Sequence, residues 1–103
     1  MKIPEYCCIR LKDLGLVPGE EVKIIEGVKV EFEPERVTVI REYPEYVLLD
    51  MTFRKSLFCL GLPPRHVRTT VTKGAMFCGD VKLLRLSDSI ILCGEEVGHY
   101  EWI

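Results

Sequence analysis

Residues 36–52 read R-V-T-V-I-R-E-Y-P-E-Y-V-L-L-D-M-T, and this stretch limits the fold more than any other in the chain. Two runs rich in β-branched and apolar residues, 37–41 and 46–51, flank Glu42-Tyr43-Pro44-Glu45. Proline cannot donate a ladder hydrogen bond, and it biases Tyr43 away from helix. Between two such runs it belongs in the connection of an antiparallel hairpin. With 103 residues to arrange around that hairpin, the chain has room for one core.

The flanking sequence reads as further short strands. Residues 6–11 give a first one, followed by a single helical turn at 12–15 that glycine stops. Pro18-Gly19 marks a tight turn, because proline presets the first central position and glycine supplies positive φ at the second. A strand over 22–26 follows. Val28-Lys29-Val30-Glu31-Phe32-Glu33 alternates as a half-buried strand does. Residues 54–65 have no clean period and leave through Pro63-Pro64. Strand chemistry returns at 66–72, 81–86 and 90–93, with one helical turn within 73–80. Tyr100 and Trp102 are expected to dock the tail onto the body. Many short strands separated by turn signals imply an all-β small barrel or sandwich with short helical turns. The expectation is a single domain over 1–103. It has N-terminal strands in 1–35, a core in 36–86 with an insertion at 54–65, and a C-terminal strand and tail in 87–103.

Apolar residues make up 48% and charged residues 29%, as in a folded soluble protein. No run approaches the roughly 20 apolar residues that cross a bilayer. Met1-Lys2-Ile3-Pro4-Glu5 meets proline and an acid before a signal-type apolar region can form. A cytoplasmic protein without a membrane partner is the expectation. Five cysteines, an odd number, argue against a complete disulfide framework. With apolar neighbours around most of them, they read as small buried hydrophobes in a reducing compartment.

Charge is segregated. Residues 1–53 carry seven basic and eleven acidic side chains; residues 54–85 carry seven basic side chains against Asp80 alone. In a strand over 66–72, His66, Arg68, Thr70 and Thr72 share one face and Val67, Thr69 and Val71 the other. Arg65 and Lys73 at its ends, with Arg54 and Lys55 from the insertion, complete a cationic ridge. Such a ridge suits a phosphate backbone, a nucleotide or an acidic protein patch. Equally, these cations suit cross-strand pairing with the acid-rich N-terminal strands. Tyr43, at a rigid turn, is a candidate interface contact, whereas Tyr46 is expected to cover one end of the core. The chain carries no catalytic set, metal-ligand spacing or phosphate loop, so neither an enzyme nor a cofactor is expected.

From 36 to 85, V-T-V-I-R-E-Y-P-E-Y-V-L-L-D and, after the insertion, R-T-T-V-T-K-G-A-M-F-C-G-D-V-K-L-L resemble small SH3-like barrel proteins of Firmicutes phages and mobile elements. The insertion 54–65 and the added segment 1–35 depart from that pattern. Leu14-Gly15-Leu16-Val17-Pro18-Gly19-Glu20-Glu21-Val22 resembles the opening of the SH3-like domain that accompanies bacterial ferrous-iron transporters. It is also similar to the start of AbrB-type transcription factors. The first resemblance implies a stoichiometric, non-enzymatic inhibitor of a host macromolecule, a protein or ribonucleoprotein such as a CRISPR–Cas effector. The others imply a regulatory module that binds DNA or a partner domain, as monomer or homodimer. A sponge for a nucleotide signal is the third expectation, with residues 54–73 as the nucleotide or nucleic-acid contact.

Overall fold

In strand geometry alternate side chains leave on opposite sides, and the apolar residues of the hairpin obey that period. Val37 and Val39 are buried from one run, and Val47, Leu49 and Met51 from the other. The computed structural model, which describes residues 7–30, 33–53 and 64–102, forms these runs into β3 (Arg36–Glu42) and β4 (Tyr46–Phe53). They pair antiparallel around Pro44. Around them lie β1 (Cys7–Leu11), β2 (Glu21–Glu26), β5 (Arg65–Thr72), β6 (Lys82–Arg85), β7 (Ile90–Leu92) and β8 (Gly98–Trp102). The expected all-β class is what forms. One antiparallel sheet has the order β5-β4-β3-β2-β6-β7, and β1 pairs with β8 in a separate two-stranded ribbon.

The inner face of the larger sheet is the core. Val47, Leu49 and Leu83 have no exposed surface, and each such side chain contributes roughly 1.5–3 kcal/mol relative to exposure. The other side of the core comes from Leu16, Met76 and Val97. Met76 arrives on α1 (Lys73–Phe77), a single helical turn whose first orphan amides are partly met by Thr72, with Oγ1 accepting from Ala75 N–H at 3.2 Å. Val97 follows a 3₁₀ turn at Gly94–Glu96.

Four local readings change. The helical turn expected at 12–15 is instead an Asp13 turn, with Gly15 N–H donating to Oδ1 at 3.0 Å. No strand forms at 28–30 despite the alternation there, and 31–32 lie outside the described residues. Gly27, at φ +93°, turns the chain off the sheet after β2. Cys8 and Cys78 are exposed and Cys93 half-buried, so these thiols are not core hydrophobes. Cys78 caps the end of α1, where a helix terminus meets solvent. Tyr100 meets the Phe77 ring edge-on at 5.2 Å, as a docked residue would. Trp102, in contrast, is 74% exposed in the ribbon.

Candidate functional site

The site depends on one irregularity. Val39 pairs with Leu49, but Arg41 pairs with Leu48, so Ile40 is an extra residue in β3. A bulge of this kind reverses the alternation beyond it. Arg41, which regular pairing would aim inward, joins Leu48 on the outer face; Glu42, paired with Val47, joins the inner face. The segment entering β2 holds this region in place. Gly19 N–H donates to Val39 O at 2.7 Å, and Val39 N–H to Glu20 O at 2.9 Å.

Turned inward, Glu42 meets Lys73. The ammonium donates to Glu42 Oε2 at 2.6 Å and to the Lys12 carbonyl at 3.0 Å. The same carboxylate accepts Leu14 N–H at 2.7 Å and Leu16 N–H at 2.9 Å. Both side chains are buried, at 2% and 8% exposure. Lys73 therefore leaves the cationic ridge: it is an internal tie between α1, the β3–β4 hairpin and the segment 12–16. A cleft of about 390 Å³ opens beside the pair, between Leu11 and Pro44. Its charged floor is already neutralised.

Two more cations of the basic segment pair with the acid-rich half. Arg85 meets Glu20 through two parallel bonds, Nε to Oε1 at 2.8 Å and Nη2 to Oε2 at 3.0 Å. It also donates to the Leu14 and Gly15 carbonyls. Burial alone would push the Glu20 carboxyl up, but the Arg85 bonds and the Val17 N–H outweigh it, and the net direction is down. The Arg85 guanidinium is raised, first by its bond to Glu20. Lys82 reaches Glu26 at 3.4 Å. For Lys73, Lys82 and Arg85, pairing across strands is the outcome.

The outer face of β3–β4–β5 is different. Residues paired in register share a face, which gives four rows across the strands. They run Arg36–Thr52–His66, Thr38–Asp50–Arg68, Arg41–Leu48–Thr70, and Tyr46–Thr72 at the Pro44 end. The expected placement of His66, Arg68, Thr70 and Thr72 on one face holds. Arg65 does not join them: it pairs with Phe53 and lies on the opposite face of β5, exposed at the strand's end. Arg54 and Lys55 lie outside the described residues. Asp50 sits opposite Arg68, yet its Oδ2 binds His66 Nδ1 at 2.9 Å. A carboxylate only accepts, so in this bond Nδ1 carries the proton. Arg68 makes no ion pair with Asp50, which is bonded to His66 instead. Arg36, Arg41 and Arg68 are exposed and have no ion-pair partner among the described residues.

Tyr43 and Tyr46 close the Pro44 end, stacked with ring centroids 4.6 Å apart and planes 18° apart. The Arg41 guanidinium lies 5.4 Å from the Tyr43 centroid. Tyr43 is half-buried and Tyr46 is 36% exposed, so the more accessible ring is Tyr46, the reverse of the sequence expectation. Arg36 and Arg41 are contributors that the sequence reading missed. Their signal lay in the register of β3 against β4, and Arg41 could be placed only with the bulge known.

Chemically, this face offers guanidinium donors, threonine hydroxyls, one carboxylate-held imidazole and an aromatic stack. That is a set for holding anions. Among the described residues no three His, Cys, Asp or Glu side chains gather as metal ligands, and no helix is long and apolar enough to cross a membrane. No family model, curated protein or solved structure matches the chain.

Proposed function

We propose that this protein is a non-enzymatic binding protein that engages an anionic macromolecule, one to one, through the outer face of β3–β4–β5. The observation that carries the reading is the contrast between two sets of cations. Lys73, Lys82 and Arg85 are each neutralised by a glutamate. Arg36, Arg41 and Arg68 lie together on one exposed sheet face and are not. Arginine and tyrosine on a rigid sheet contribute contact area and bidentate hydrogen bonding at low entropic cost. Stoichiometric inhibition of a host protein or ribonucleoprotein, as the phage resemblance implies, is the use of such a face that we favour.

Heparin affinity tests the reading, because a protein of net charge −2 is retained only if its positive charge is locally concentrated. The wild type should be retained at low salt and released as salt rises. The combined variant Arg36→Glu, Arg41→Glu, Arg68→Glu should flow through while its melting curve stays within a few degrees of the wild type, since all three residues are exposed. Retention of that folded variant would place the binding surface elsewhere.

A further inference from the structure

Resting on that reading, we infer that the anionic partner is a single-stranded nucleic acid, laid along the strands of the outer face with one phosphate to each row. Same-face residues of a strand repeat every two positions, about 6.7 Å apart. That is near the separation of successive phosphates in an extended single strand. Each of the first three rows supplies at least one group for a phosphate. Arg36 stands in the first, Arg68 in the second and Arg41 in the third. Thr38 and Thr70 add hydroxyl donors in the second and third rows.

The cations of the face are arginines, and guanidinium binds a phosphate through two parallel bonds where lysine acts as a point charge. Glu21, paired with Thr38 from β2, bounds the track on that side. Asp50, the carboxylate within the track, is bonded through Oδ2 to His66 Nδ1 and stands opposite Arg68 in the second row. The fourth row has no cation and carries Tyr46 instead.

Tyr46 has a ring already stacked on Tyr43, with Arg41 fixed over Tyr43 in turn. A base placed on Tyr46 extends an existing stack, and aromatic rings at the end of a basic track are what single-strand binding uses. Arg36 and Arg41 on β3 and Arg68 on β5 flank β4, one to a row, so a single backbone laid over β4 meets them from alternate sides. A duplex would present its two backbones on a curved surface, with paired bases closed to Tyr46.

The test is fluorescence anisotropy with fluorescein-labelled dT12, the matching dT12·dA12 duplex, and labelled poly-L-glutamate, each over a salt series. Binding to dT12 should exceed binding to the duplex, with a log–log salt slope of roughly −2 for three phosphates at about −0.7 each. Arg41→Ala and Arg68→Ala should each shallow that slope by about 0.7. Tyr46→Ala should weaken binding about 10-fold with the slope unchanged, because stacking releases no counterions. Equal or tighter binding of the duplex overturns the inference, as does a Tyr46→Ala variant that binds dT12 like the wild type. Binding of poly-L-glutamate without dT12 overturns it too, and leaves the anionic-partner reading standing. Failure of all three probes removes both.

Discussion

Glu42→Ala should cost this protein several kcal/mol, more than any single replacement on the outer face. The alanine removes one acceptor from three donors: Lys73 Nζ, Leu14 N–H and Leu16 N–H. Breaking a buried ion pair by deleting one partner typically costs about 3–5 kcal/mol, because the surviving charge stays out of water. Lys73 would keep only the Lys12 carbonyl. Lys73→Met should cost less, since the carboxylate it leaves behind still accepts two backbone amides. In the double variant no unpaired charge remains, so its loss should fall short of the two single losses added together. Urea denaturation of the four proteins reads the cycle. A Glu42→Ala midpoint within error of the wild type would mean that the tie does not form.

The second large effect is expected at Gly27. Its φ of +93° is a conformation that side-chain-bearing residues rarely adopt. A Cβ there would also lie 1.9 Å from the Asp80 carbonyl oxygen and 2.8 Å from Val81 Cα. Both neighbours are backbone and cannot swing aside. Left-handed geometry costs roughly 1–2 kcal/mol for an ordinary residue, and forced backbone shifts in a packed region add about 1–3 kcal/mol. For a domain of this size each kcal/mol lowers the melting temperature by about 4–8 °C. Gly27→Ala should therefore melt about 8 °C or more below the wild type, by the same conversion. Gly79 is the control. Its φ is +83° but nothing lies within 4 Å of its Cβ position. Gly79→Ala should show only the conformational part of the loss. Equal melting shifts in the two variants would mean that the β2 exit does not press on Asp80.

The contrast between these two sites and the hairpin explains how far the sequence could be read. Pro44 and the β-branched runs around it act within a few residues, so the hairpin and the facing of His66, Arg68 and Thr70 were legible. The Glu42–Lys73 pair joins positions 31 apart in the chain. A lysine is rarely buried without a partner, and nothing near residue 73 names that partner. The partner also depends on the bulge at Ile40, which carries no residue signature in V-T-V-I-R-E. The same bulge hid Arg41 from the candidate face. Residues 28–33 misled in the opposite way. Their alternation is strand-like, but the preceding glycine, at φ +93°, takes 28–30 off the sheet. Periodicity reports which side a strand would bury. It does not report whether a neighbour exists to pair with it.

Amide chemical-shift mapping tests the proposed anion-binding face without any substitution. Adding a size-defined heparin oligosaccharide to ¹⁵N-labelled protein at low salt should shift the amides of Thr38, Leu48, Asp50, His66, Arg68 and Thr70. The amides of β1, β8 and the β6–β7 hairpin should stay in place, and raising the salt should reverse the shifts. Perturbations concentrated on β6–β7 or on the β1–β8 ribbon, with β4 and β5 unchanged, would contradict the assignment.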